Sequence, residues 1–557
     1  MLGPVRMMIK LLALVLVCVL CTVSCEHGIS GEDSAAEEVH TKHSLYDELG
    51  LLPYDPPIEL SMAGESSIFI EELMQVFPDE SLADNRWTRL YEEVLGIKIV
   101  YDWIERGDMY DKKLGVAISS GDIPDVVRVD ANQLRLLSNA GQIQDLTKAY
   151  LQYATDLTKG VLTQEGLGPF QAATIDGRLM GIPQVDSSID KASLIWIRTD
   201  WLENLGLKPP KTMDDVIAIA KAFTEEDPDQ NGLHDTYGLA ATHYLWDPVA
   251  GLAGFMAGYD AYPQLWLEDE EGRLVYGGIQ PEVKEALAAL QDLYQQGILD
   301  PSFAIKKGEQ VKQDIIDGKI GMMYGEQWGA FHVGGSRNTD SFADWKAFPI
   351  VSAYDHPPMV PLKFTISSFF AVRSDYEHPE AVVKLFNLHL EKNWGQTAEY
   401  ERYYNDSGSV WQFSPVTPFP PRKNLNAYRE IEAYRKGELQ EFVTQEAQAI
   451  WGYMRSYQEE GDAGGWGWER IYGPSGAYAI IDAYDKNGQL LYDRFTGVPT
   501  PTMIDQDKFL QHLQNEMYIN IILGDPLEEF DRFVEQWLML GGERITQEVN
   551  EWYQSRG

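Results

Sequence analysis

The sequence predicts an α/β protein whose sheets are covered by helices. Strand-like and helix-like segments alternate from about residue 57, with turn residues between them, as sheets packed under helices require. The 557-residue chain is 44% hydrophobic and 11% aromatic. That is enough for a large packed core and too apolar for a disordered chain. At roughly 150 residues per domain, the length suggests two to four domains.

The elements follow in order. Ile58 to Met62 alternates apolar and polar with a period of two, the mark of a half-buried strand. Between Asp84 and Leu95, the residues Trp87, Leu90, Tyr91 and Val94 share one helical face; Gly96 stops that helix, and Ile97 to Tyr101 is the next strand. Asp125 to Val129 and Leu194 to Arg198 are further short apolar strands. Pro281 opens a helix carrying Val283, Leu287, Leu290 and Tyr294 inward, ended by Gly297. Strands follow at Ile320 to Tyr324 and Thr365 to Val372, and Pro379 opens another helix. Asn487-Gly488, between two apolar triplets, predicts a hairpin turn. The C-terminal region is helical, with Trp537 and Trp552 assigned to the core.

Composition removes whole classes of function. Lys and Arg number 45 against 86 Asp and Glu, a formal charge of −41. Nucleic acid is excluded as a partner, because affinity for it comes from cations that neutralise phosphates. Docking on anionic lipid is disfavoured for the same reason. The three cysteines, Cys18, Cys21 and Cys25, all lie at the N-terminus. The body therefore has no disulfide, no cysteine-based zinc site and no cysteine nucleophile.

Those cysteines sit in an export signal. Arg6 and Lys10 precede an unbroken apolar run from Leu11 to Cys21, too short to span a bilayer. The run then reads Thr22-Val23-Ser24-Cys25. A small residue before a cysteine at this place resembles a bacterial lipoprotein cleavage box, in which Cys25 is acylated and becomes the mature N-terminus. Residues 1–24 are thus read as signal peptide and 25–55 as a polar, flexible, lipid-anchored linker.

Catalytic motifs are missing: the chain contains no G-x-S-x-G, H-E-x-x-H, G-x-x-x-x-G-K-[ST] or G-x-G-x-x-G. One segment does carry chemistry. In DPDQNGLHDTYG, residues 227–238, Asp227, Asp229 and Asn231 fall at positions 1, 3 and 5 of a calcium-loop spacing, Gly232 at 6, the Leu233 carbonyl at 7 and Asp235 at 9. A hard cation needs such oxygen donors. The bidentate Glu of a standard loop is replaced by Gly238, so the sixth ligand would be Thr236 or water. An Asx-rich turn is the alternative reading of the same residues. A second constellation is aromatic. Trp246 and Trp328, the latter beside Tyr324 and Gln327, stand just past predicted strand ends, where α/β proteins gather ligands. Trp411, and Trp466 in a glycine-rich run, complete the candidate set for stacking on sugar rings.

The stretch Ile197-Arg198-Thr199-Asp200-Trp201-Leu202-Glu203-Asn204-Leu205-Gly206-Leu207, followed by a helix and DPDQNGLHDTYGLA, resembles the signature of family 1 extracellular solute-binding proteins. These are the substrate-binding lipoproteins of carbohydrate ABC importers, and the likeness is to the large subgroup of Gram-positive bacilli. Ser120 to Asp125, Leu293 to Pro301 and the terminal GGERITQEVNEWY extend it over the mature chain. The resemblance implies a periplasmic-binding-protein-like fold of two lobes joined by a hinge, with an oligosaccharide in the cleft between them. Lobe 1 would take 56–185 and about 350–410, and lobe 2 186–349 and about 411–557, a return of the C-terminal helices to lobe 1 being left open. It also implies a structural calcium ion in the 227–236 loop, as in alginate-binding members, whose sixth ligand is acidic where this chain has Thr236. Partners would be the oligosaccharide and the ABC permease subunits, with the protein acting as a monomer on the outer face of the cytoplasmic membrane and not as an enzyme. A secreted polysaccharide-degrading enzyme and a surface glycan-binding scaffold are the competing readings.

Overall fold

The computed structural model describes residues 45–556. The leader, Cys25 and most of the expected linker lie outside the described residues. Residues 45–48 form one helical turn where the sequence suggests a flexible linker. From Pro53 onward the chain forms a separate body built on two main sheets.

The first sheet takes β1 (Ile58–Ser66), β2 (Ile97–Arg106), β3 (Val126–Val129) and β4 (Ile182–Val185). The chain then leaves to build a second sheet from β5 (Leu194–Arg198), β6 (Met322–Gly325) and β7 (Trp345–Pro349), and returns to the first with β8 (Ile366–Val372). The first sheet runs β2-β1-β3-β8-β4, with β1 parallel to both its neighbours and β8 antiparallel to both of its own. The second runs β6-β5-β7, all antiparallel, with Trp196 opposite Met323 and Ala347. Alternation in β1 buries Leu60, Met62 and Gly64 on one face. The continuous apolar run of β5 is buried at every position, as befits a central strand covered on both faces. The chain thus crosses between the two sheets at 186–193 and again at 350–365.

The helix Arg86–Leu95 starts where the sequence places it. Asn85 Oδ1 accepts from the Trp87 and Thr88 N–H groups at 2.8 and 3.1 Å, and Gly96 ends the helix in the left-handed region at φ +63°. Seven further helices bear on the site: α1 (Met213–Glu225), α2 (Ala381–Trp394), α3 (Lys423–Arg435), α4 (Gln445–Arg455), α5 (Trp466–Tyr472), α6 (Ala477–Lys486) and α7 (Pro501–Leu523). Helix α2 packs on the first-sheet helices, whereas α5 and α6 pack on β7 and α7 lies along the helix Glu282–Gln295. Among the described residues, no helix is long and apolar enough to cross a membrane.

One element departs from expectation. The predicted hairpin at Asn487-Gly488 is instead the end of α6, which buries Ala477, Tyr478, Ile481 and Tyr484. Those positions recur at helical spacing, and a short apolar triplet within them cannot be told from a strand by periodicity alone. Leu490–Tyr492 is a strand, but it pairs in parallel with Val360–Leu362.

Candidate functional site

A continuous cleft runs where the chain crosses between the sheets. Its largest chamber, about 530 Å³, is lined by the crossing residues Asp186 and Lys191, by Glu326 and Trp328 beyond the end of β6, by Tyr404 and Trp411, and by Tyr453 and Trp468 of α4 and α5. A second chamber of about 360 Å³ shares Lys191 and Glu326 with the first. A third, about 290 Å³, shares Tyr244, Trp246, Gln264 and Lys363 with the second and is closed by Asp493, Phe495 and Asp507.

Two aromatic clusters wall the largest chamber. In one, Trp468 stacks on Tyr453 at 5.1 Å and meets Trp328 edge-on at 6.4 Å. In the other, Tyr404 stacks between Tyr400 at 4.7 Å and Trp411 at 6.0 Å. Flat apolar rings beside carboxylates and amides suit a ligand that is apolar on its faces and polar on its edges, which describes a sugar ring.

The charged groups here are mostly paired. Lys191 Nζ donates to Asp186 at 2.7 Å and to Thr365 Oγ1, on the second crossing segment, at 2.9 Å. Lys423 is ion-paired with Glu446, both lining the largest chamber. Burial pushes the Lys423 ammonium down, but Glu446 more than offsets this and holds it above its ordinary value. Asp190 accepts from Tyr478 Oη at 2.8 Å and Asn424 Nδ2 at 2.7 Å; burial nevertheless pushes its carboxyl up to about 6. Burial also drives Glu326 up to about 7, with Lys191 opposing. Glu326 differs from the others in having no hydrogen bond or ion pair to its carboxylate among the described residues.

The residues singled out from sequence divide. Trp328 and Trp411 line the largest chamber, and Trp246 lines the second and third. Tyr324 stands at the base of the second chamber, almost wholly buried, its hydroxyl against Met213 Sδ at 3.8 Å. Gln327 is not in the cleft: it is fully buried, and its Oε1 accepts from the Trp328 N–H at 2.5 Å. Trp466 is not there either. The glycine-rich run is the start of α5, which turns Trp466 inward between Arg337 and Arg470 and presents Trp468 to the chamber. Sequence reasoning reached Trp468 only as part of that run, choosing Trp466 in its place, and missed Tyr404, Tyr453, Lys191 and Glu326. Only Trp468 and Glu326 stood within motifs already singled out.

The 227–236 loop lies elsewhere and lines none of the three chambers. It leaves α1 with Asp227 at φ +52° and turns at Gly232, φ +80°. Asn231 Nδ2 donates to Asp229 at 2.7 Å and Asp235 at 3.3 Å, so two carboxylates converge on one amide. Asp227 is turned to the N–H groups of Asn231 and Gly232, at 3.1 and 3.0 Å. Among the described residues no three His, Cys, Asp or Glu side chains gather as a metal site would need. The donors are all hard oxygens and in that respect fit calcium, with Asp227 the group that would have to turn. Thr236 does not fit a ligand's role. Its hydroxyl is buried and donates to the Phe223 carbonyl at 2.7 Å, satisfying the end of α1. Gly238, which replaces the bidentate Glu of a standard loop, passes so close to α1 that a Cβ there would stand 1.9 Å from the Ala220 carbonyl oxygen.

The chain is similar to known proteins along its length. It is 23% identical over 511 residues to the polygalacturonan/rhamnogalacturonan-binding protein YtcQ of Bacillus subtilis, covering 88% of this chain and 92% of that one. It is 30% identical over 238 residues to the fructooligosaccharide ABC transporter substrate-binding protein FusA of Streptococcus pneumoniae, covering 40% and 42%. In fold it matches the calcium-free crystal structure of the alginate-binding protein AlgQ2 (TM-score 0.59, 16% identity, 90% of this chain and 99% of that one). It also matches a human-milk-oligosaccharide-binding ABC-transporter solute-binding protein of Bifidobacterium longum infantis (TM-score 0.60, 16% identity, 89% and 98%). These neighbours share the two-lobed fold of substrate-binding proteins. The model of bacterial extracellular solute-binding proteins matches residues 68–396, more than half of the chain, and the protein belongs to that family.

Proposed function

We propose that this protein is the substrate-binding lipoprotein of an ABC importer, taking an oligosaccharide into the cleft between its sheets and delivering it to a membrane permease. The observation that carries the reading is the cleft itself. It is long, walled by aromatic rings, and floored by the segments at which the chain crosses from one sheet to the other. Three connected chambers exceed what a single small sugar needs and suit an extended chain of them. Closure about the crossings would bury the ligand and create the surface a permease reads. The protein works as a monomer held at the outer face of the cytoplasmic membrane by an acylated Cys25, downstream of a cleaved signal peptide. A calcium ion held by Asp227, Asp229, Asn231 and Asp235, with the Leu233 carbonyl, braces the loop after α1 away from the sugar.

Calorimetry of the mature protein against plant-wall, fructan and algal oligosaccharides, with the sugars analysed afterwards, tests the reading. One-to-one binding with every oligosaccharide recovered intact is the expected result. Shortened products would make the protein an enzyme, and a folded protein that takes up none of the sugars would overturn the oligosaccharide assignment.

A further inference from the structure

We propose that the cleft selects uncharged oligosaccharides over oligouronides, and that the Glu326 carboxylate reads the hydroxyls of the sugar spanning its two larger chambers. The proposal rests on the oligosaccharide reading above and names the class of sugar.

Charge is the first ground. The side chains lining the three chambers include seven carboxylates and four lysines, with no arginine. A sugar carboxylate is bound best by a planar guanidinium that donates two parallel hydrogen bonds. Lysine can substitute as a point charge, but Lys191 is held by Asp186 and Lys423 by Glu446. Lys363 and Lys508 share the third chamber with Asp493 and Asp507. A polyuronide threaded through the cleft would therefore meet more negative charge than positive in partly desolvated surroundings, where like charges repel most strongly.

The second ground is the state of each carboxylate in the largest chamber. Asp186 has Lys191, Asp190 has Tyr478 and Asn424, and Glu446 has Lys423. Glu326 has nothing among the described residues, although it lines both larger chambers. Holding a carboxylate in such a place without a hydrogen bond costs free energy, and burial accordingly makes Glu326 a weaker acid than an ordinary carboxyl. Hydroxyl donors supply the missing partners; a second carboxylate does not. Trp328, two residues on, offers the ring on which the same sugar would stack.

The test is calorimetry on the mature protein at two ionic strengths. The probes are neutral oligosaccharides (fructan, xylan and galactan fragments) and oligogalacturonides of matched length, on wild type, Glu326→Gln and Asn405→Arg. At least one neutral oligosaccharide should bind tenfold or more tighter than any oligogalacturonide. Glu326→Gln should weaken the neutral ligand tenfold or more while melting shows a folded protein. Asn405→Arg, which adds a guanidinium to the largest chamber, should narrow the discrimination. Oligogalacturonide binding equal to or tighter than neutral binding, measured on the unaltered protein, would overturn the selectivity. Unchanged affinity in folded Glu326→Gln would overturn the role of that residue. Failure of every sugar, neutral and acidic alike, is the separate result that overturns the oligosaccharide reading beneath the proposal.

Discussion

At Trp468 and Trp466, two residues decide between cleft and core. Both are tryptophans in one short run, yet α5 turns the first to the chamber and the second to the interior. Trp328→Ala and Trp468→Ala should each weaken oligosaccharide binding by about 1–3 kcal/mol, the scale of stacking against a planar ligand. Trp466→Ala should leave affinity nearly intact and lower the melting temperature instead, as a cavity in the core does. Calorimetry beside thermal melts separates the two outcomes, and a loss of affinity in Trp466→Ala would show that the core placement is mistaken. Glu326 permits a prediction in pH. Burial raises its carboxyl from 4.5 to about 7, so the folded state holds its proton more tightly than the unfolded chain. Its contribution to stability is complete below about pH 4.5 and is lost as the pH rises through about 7. Glu326→Gln, which is always uncharged, should therefore gain about 1–3 kcal/mol over wild type at pH 8 and little at pH 4.5. Denaturant melts at both pH values measure this, and an equal difference at the two would remove the titration from the explanation. Trp246, Trp328 and Trp411 were singled out in the sequence and line the cleft; Trp328 stands past the end of β6 as expected, whereas no strand among the described residues leads into Trp246. Glu326 was not, being one of 86 acidic residues whose burial depends on contacts from distant elements.

At the scale of elements, the loop after α1 shows how far spacing carries. Its acidic residues stand at the intervals of a calcium loop, and Asp229 and Asp235 do converge. Spacing could not show that Thr236 faces Phe223, since that depends on how the following segment packs back on α1. Thr236→Val should cost about 0.5–2 kcal/mol through the lost hydrogen bond and leave any calcium sensitivity unchanged. Chelation should lower the melting temperature of the wild type, because calcium at a hundredfold excess over its dissociation constant stabilises the folded state by about 2.7 kcal/mol. Asp229→Ala should abolish that response. Identical melts with chelator and with millimolar calcium would reduce the loop to an Asx-rich turn. The same limit of local pattern explains α6. Its apolar residues satisfy either period over three positions, and only the longer register, from Ala477 to Tyr484, identifies a helix.

Across the whole molecule, the alternation of elements foretold the α/β class, whereas the route by which β8 returns to the first sheet was expected only from the family resemblance, which assigned about 350–410 to lobe 1. That route puts two chain crossings side by side, and no local signal records it. The N-terminal reading is tested in cells: Cys25→Ala should move the protein from the membrane fraction to the medium, and unchanged retention would count against acylation. The two crossings are tied by one side chain. Lys191 belongs to the first, donates to Thr365 on the second, and lines both larger chambers. Asp186 and Thr365 take two of the three N–H donors of the Lys191 ammonium, which leaves the third for an oxygen in the cleft. One ammonium group therefore touches both crossings and both larger chambers at once. An oxygen that accepts the third hydrogen bond would be held at the junction of the two sheets, where a single contact reaches both.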